Sequence, residues 1–171
     1  YKFLLFLYKI MIKISASLMC ADYSNLAGQV EDLEKARVDM LHFDIMDGDF
    51  VPNFSMSQLE MKALRPLTKL TFDVHLMIKE PIRYIKQFAD AGADILTVHA
   101  EACVHLDRTL QEIKEHGKKA AVALNPSTPL SAIQHVLDKL DMIVLMTVNP
   151  GFAGQKYIPS VIPKIKELRE L

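Results

Sequence analysis

The chain has 171 residues, half of them hydrophobic and 24% charged, with a formal net charge of −1. That balance describes one globular domain with a sizeable core and excludes a disordered or strongly basic polypeptide. Without a run of Lys or Arg, a zinc-finger pattern or an RNA-binding signature, no nucleic-acid partner is expected. The two cysteines, Cys20 and Cys103, lack paired-motif spacing and are expected to pack as small hydrophobes in a reducing cytoplasm.

Residues 1–10, YKFLLFLYKI, differ from the rest of the chain. Their apolar run is far short of the ~20 residues needed to cross a bilayer, so no membrane span is expected. They carry the charge of a signal peptide, but no small-x-small cleavage site comes after them. The expected organisation is an N-terminal extension over 1–10, outside the fold, with the domain over 11–171.

Six apolar, β-branched segments are read as strands: Ile12–Ser17, Met40–Met46, Leu70–Met77, Ile95–His99, Ala120–Asn125 and Met142–Thr147. Helical patterns lie between them. Asn25 to Arg37 turns Leu26, Val30 and Leu33 inward. Pro81 opens a helix that Gly92 stops, Leu106, Leu110 and Ile113 form the stripe of another before Gly117, and Ile158 to Leu171 presents Val161, Ile165 and Leu168. Asp39, Asp94 and Asp141 each precede a strand, a weak repeat at two strand-helix units. Apolar strands alternating with helices imply a parallel sheet. No GxGxxG turn marks a doubly wound sheet, and polar residues at the ends of several strands favour a TIM (β/α)8 barrel. Six units are visible where a barrel has eight and runs to roughly 250 residues. The barrel is therefore expected to be incomplete in this chain, by a sequence cut short rather than by completion from a second chain.

Alternate strand residues share a face, so His42, Asp44 and Met46 point together, as do Asp73, His75 and Met77. The first strand offers Ser15 and Ser17. On neighbouring strands these groups would converge, and imidazoles with a carboxylate suit Zn, Fe(II) or Mn better than Ca or Mg. An ionised Asp44 in a dry core needs a partner, which a cation would supply. A buried histidine bonded to a carbonyl is the commoner case, and His99 at a strand end reads as structural. His105, His116 and His135 fall on helices facing solvent. Asp44, Asp47 and Asp49 miss the EF-hand spacing, and Gly48 reads as a turn. Met46, Met77 and Met146, ordinary core residues in most settings, lie where they could wall a site. Gly151 and Gly154 free a loop that can present N–H groups to a phosphate, although Asn-Pro-Gly is also a common turn.

Together ISASLMCAD (14–22), HFDIMDGDFVPN (42–53), DVHLMIKEP (73–81), GADILTVHAE (92–101), ALNPSTP (123–129) and MTVNPGFAGQ (146–155) resemble the ribulose-phosphate 3-epimerase family, in family order and over nearly everything after Met11. SLMC and GFAGQ are more similar to its D-allulose-6-phosphate 3-epimerase branch. The resemblance implies metal-dependent C3 epimerisation of a sugar phosphate, either D-ribulose 5-phosphate/D-xylulose 5-phosphate or D-allulose 6-phosphate/D-fructose 6-phosphate. It implies one divalent metal ion held by His42, Asp44 and His75, with Asp44 also an acid/base. Ser17, His75, Met46, Met77, Met146, Gly151, Phe152, Ala153 and Gly154 would bind substrate, and a homo-oligomer stays open. The family's second acid/base, an aspartate on the seventh strand, has no counterpart here, so this chain alone is expected to be inactive or nearly so. Ala16 stands where the family has proline, and Asp49 where it often has histidine. Sugar-phosphate decarboxylases on this scaffold carry Asp-x-Lys-x-x-Asp on the third strand, against Asp73-Val74-His75 here. A non-catalytic metal- and sugar-phosphate-binding fragment is the other alternative.

Overall fold

The computed structural model describes residues 12–171. The expected extension over 1–10 lies outside the described residues. Six strands, β1 (Ser15–Ser17), β2 (Met40–Met46), β3 (Thr71–Met77), β4 (Ile95–His99), β5 (Lys119–Leu124) and β6 (Met142–Leu145), form one all-parallel sheet in sequential order. Each strand is followed by a return segment, giving about six strand-helix units of an incomplete TIM barrel. Among the described residues β1 and β6 are its edges.

The return segments are α1 (Leu26–Lys35), α2 (Gln58–Leu64), α3 (Ile85–Asp90), α4 (Leu106–Glu115) and α5 (Ile162–Glu170). Helix α2 is absent from the sequence reading. Its signal is Ser57-x-x-Glu60, a capping box in which Ser57 Oγ accepts from the helix backbone and Glu60 accepts from the Ser57 N–H at 2.9 Å. The β5–β6 connection holds only 3-10 turns at Leu130–Ala132 and Leu137–Lys139, and exposed His135 lies between them rather than on a helix. Half-buried His116 caps the end of α4 and is paired with Glu112 at 3.1 Å, not free in solvent. Pro81 opens a 3-10 turn, so the α-helical part begins only at Ile85.

The core lies between the sheet and its helices. Phe43, Phe72, Val74, Leu76, Leu96 and Val122 are fully buried, at 0% exposure. Burial fades toward β6, whose four residues are all half-buried, and Ile165 on α5 stays at the surface instead of facing inward. Cys20 is exposed in the turn after β1, and Cys103 is half-buried; both are free thiols. Strand β1 is shorter than expected because Ile12 and Ile14 are exposed and only Ser15–Ser17 pair with Met40–His42.

The acids repeated before alternate strands have one structural job. Asp39, Asp94 and Asp141 each accept a backbone N–H from the preceding strand's start: Ile14 at 2.7 Å, Phe72 at 2.8 Å and Ala120 at 2.8 Å. Each closes an otherwise open donor at the end of the sheet where strands begin. The opposite end is left to the chemistry.

Candidate metal and substrate site

Strands β2 and β3 pair with His42 opposite Asp73, Asp44 opposite His75 and Met46 opposite Met77. Ser17 of β1 pairs with His42. The register puts the whole polar set on one face, while Phe43 and Ile45 turn into the core.

Among the described residues, His42, Asp44 and His75 form a group whose ligand atoms all lie within 4.8 Å of one another. Asp44 Oδ1 is 3.3 Å from His42 Nε2 and 3.5 Å from His75 Nδ1. Its Oδ2 accepts from Ser17 Oγ at 2.7 Å, and its backbone carbonyl accepts from Ser55 Oγ. The far nitrogen of each imidazole is already engaged. His42 Nδ1 donates to Asp73 Oδ2 at 2.7 Å, and Ser15 Oγ donates to the same oxygen at 2.9 Å. His75 Nε2 lies 2.8 Å from His99 Nε2, and His99 Nδ1 donates to Glu101 Oε2 at 3.2 Å. His99 is completely buried, and its ring also packs on Phe50.

The charges of this buried group depend on one another. Burial opposes a charge on His42, but hydrogen bonds and attraction from Asp44 and Asp73 prevail and raise its pKa to about 10. Asp44 is driven the other way: burial favours its acid, yet the hydrogen bond and positive charge of His42 and the hydroxyl of Ser17 hold it well below the carboxylate range. Burial, outweighing Asp44, takes His75 down to about 4, so its ring is neutral and a competent donor. A proton shared at His42 serves where a divalent ion would. Two imidazoles with one carboxylate fit Zn, Fe(II) or Mn, and the engaged far nitrogens are the arrangement that orients metal-binding histidines.

Met46 and Met77 are buried together with Val51, with Met19 and Phe50 packed against them, an apolar wall beside the polar face. Met146, half-buried, comes directly after β6 and donates its N–H to Leu124. Gly151, Phe152, Ala153 and Gly154 lie farther along the loop after β6. Gly151 has φ +121°, and a Cβ there would sit 3.2 Å from Val51. Asn53 Nδ2 donates to its carbonyl at 2.8 Å, tying the β2 loop to the β6 loop across 98 positions. Gln155 donates to the Asn149 and Phe152 carbonyls, leaving exposed N–H groups at Phe152, Ala153 and Gly154 that donate to no acceptor among the described residues. Asp47 accepts the N–H groups of Asp49, Phe50 and Lys79. Gly48, at φ +75°, makes the expected turn.

The sequence reading put Asp73 on the right face without a task, gave His99 a merely structural one and passed over Glu101. The spacing His99-x-Glu101 at the end of β4 was the available signal.

A family model described as "Ribulose-phosphate 3 epimerase family" matches residues 13–171. The chain is 58% identical over 161 residues to a ribulose-phosphate 3-epimerase of Bacillus subtilis, covering 94% of this chain and 74% of the relative. It is 51% identical to that of Synechocystis, covering 94% and 70%. Among solved structures, an N-succinyl Arg/Lys racemase from Bacillus cereus aligns with a TM-score of 0.59 at 13% identity, over 78% of this chain and 37% of that one. A tryptophan synthase alpha chain from Legionella pneumophila aligns at 0.54 and 11%, over 91% and 65%. These two share the fold alone.

Proposed function

The chain belongs to the ribulose-phosphate 3-epimerase family, a family of isomerases, and from that premise we propose that it serves metal-dependent epimerisation at C3 of a ketose phosphate. The observation that carries the reading is the convergence of His42 Nε2, His75 Nδ1 and Asp44 Oδ1, each imidazole tied back by its other nitrogen. The names of the relatives favour D-ribulose 5-phosphate over D-allulose 6-phosphate as substrate. No described helix is long and apolar enough to cross a membrane, and a cytoplasmic place fits a sugar-phosphate enzyme.

His42, Asp44 and His75 would hold one divalent ion. When bound it supplies positive charge against the negative charge that builds on the sugar oxygens as the C3 proton leaves, worth several kcal/mol in general. Asp44 takes that proton; a positioned acid/base contributes roughly 10²–10⁴-fold. Ser17 holds the second Asp44 oxygen and touches the sugar. Met46, Met77 and Met146 keep water from the carbanionic centre, and the free N–H groups of 152–154, with Gly151 shaping the turn, receive the phosphate.

Inversion needs an acid on the opposite face. Asp44 is the one carboxylate in the converging group among the described residues, and Asp73 binds His42 and Ser15 through Oδ2. With Asp44 as the one acid/base in the group, residues 12–171 account for removal of the C3 proton and for binding of ion and sugar phosphate, which is what the binding-module reading rests on. Ribulose 5-phosphate in D2O with the zinc-loaded protein separates the outcomes. Deuterium entering at C3, and none entering with Asp44→Asn, supports Asp44 as the base. Exchange that survives Asp44→Asn reassigns it, and binding without exchange leaves the module.

A further inference from the structure

We propose that Glu101 and His99 form a positioning relay that sets which nitrogen of His75 carries its hydrogen and so keeps Nδ1 open toward a metal ion. The inference rests on the metal reading above.

A neutral imidazole has one ring hydrogen, on either nitrogen. The Glu101 carboxylate accepts only, so the His99 hydrogen lies on Nδ1, 3.2 Å from Oε2. That leaves a lone pair on His99 Nε2. The facing His75 Nε2, 2.8 Å away, must then supply the hydrogen, and His75 Nδ1 is left bare toward Asp44. The ring geometry suits such a bond: with the two Nε2 atoms 2.8 Å apart, centroids at 4.9 Å and planes 22° from parallel place the rings nitrogen to nitrogen rather than face to face. Neither ring has freedom to turn, with His99 at 0% and His75 at 2% exposure.

The far end of the relay is anchored as well. Glu101 Oε1 accepts from the Asn125 N–H at 2.7 Å and from the Thr128 hydroxyl. Lys164 of α5 donates to the carbonyls of Asn125, Pro126 and Thr128 at 2.7, 3.0 and 3.0 Å. One carboxylate oxygen is thus committed to the β5 loop, and the other is left to His99. His42 receives its orientation directly from Asp73, whereas His75 receives it through a second ring.

Glu101→Gln makes a sharp test. Its amide oxygen must stay with the Asn125 N–H and the Thr128 hydroxyl, so its NH2 faces His99 Nδ1 and reverses both rings. The His75 hydrogen then moves to Nδ1, the metal-facing atom. In ¹⁵N-histidine-labelled, metal-free 171-residue chain, long-range ¹H–¹⁵N correlation should show His75 protonated on Nε2 and His99 on Nδ1. The Gln variant should show both reversed. Competition with a chromophoric chelator should show Zn(II) affinity lowered about 10–100-fold in Glu101→Gln and in His99→Leu. A wild-type His75 protonated on Nδ1 overturns the relay without any variant needing to fold, as do unchanged tautomers and affinity in the Gln variant. Wild-type chain that shows the expected tautomers yet binds no Zn(II) overturns the metal reading instead.

Discussion

Asp44→Asn changes one oxygen for an amide and removes one charge, and its effect on stability reveals the charge state of the site. In the metal-free chain His42 is an imidazolium held by two carboxylates, Asp44 Oδ1 at 3.3 Å and Asp73 Oδ2 at 2.7 Å. The side chains of His42 and Asp44 are 17% and 14% exposed, so water screens their attraction little. A pKa of about 10 in place of 6.5 corresponds to on the order of 5 kcal/mol at ~1.4 kcal/mol per pH unit. Two carboxylates share that, so losing one costs on the order of 2 kcal/mol, or about 4–8 °C in Tm for a chain of this size. Because the pKa is raised on folding, this stability is fully present below about 6.5 and lost as pH rises through about 10. Melting curves of wild type and Asp44→Asn, both with a strong chelator, should show the largest wild-type advantage near pH 6, an advantage that is lost as pH rises through about 10. If the Asn variant is as stable as wild type at pH 6, or more so, His42 is neutral there. Asp44 would then be a lone buried anion, and the electrostatic account fails.

The same geometry gives three further outcomes. Asp73→Asn, which can turn an NH2 toward His42 Nδ1, should weaken Zn(II) binding about 10–100-fold in a chelator competition; unchanged affinity would mean that His42 needs no orienting partner. Gly151→Ala should weaken ribulose 5-phosphate binding in calorimetry while leaving Zn(II) binding intact, because φ +121° and a Cβ 3.2 Å from Val51 disturb the turn; equal sugar-phosphate affinity would remove the loop from the site. Glu101, whose burial is outweighed by bonds from His99, Thr128 and Asn125, titrates at about 2 instead of 4.5. Its stabilisation is present above pH 4.5 and lost as pH falls through about 2, so wild type and Glu101→Gln should converge in acid unfolding over that window. A constant difference would contradict it.

The barrel architecture was legible because parallel strands buried on both faces announce themselves as short apolar runs between helices. Strands β2 and β4 match their expected bounds at Met40–Met46 and Ile95–His99. The period of two placed His42, Asp44 and His75 on common faces, and the sequential order of the sheet turned that into proximity. Helix α2 escaped because its seven residues are too few for a clear apolar stripe, although its capping box was in plain sight. The β5–β6 connection, read as helical at His135, misled for a different reason: buried Leu130, Ile133 and Val136 repeat at three residues, which tight 3-10 turns satisfy as well as an α-helix does. Partners that cross strands were the least legible. Glu101 reaches Asn125, 24 positions away, and Asp73 reaches Ser15 across 58, so neither bond has a local signature.

The central claim is that His42, His75 and Asp44 grip one divalent ion. Crystals of the chain grown with zinc and measured at the zinc absorption edge test it most directly. The account predicts one anomalous peak about 2.0–2.2 Å from His42 Nε2, His75 Nδ1 and an Asp44 carboxylate oxygen. Zinc found only elsewhere, or no peak between these three side chains, would contradict it.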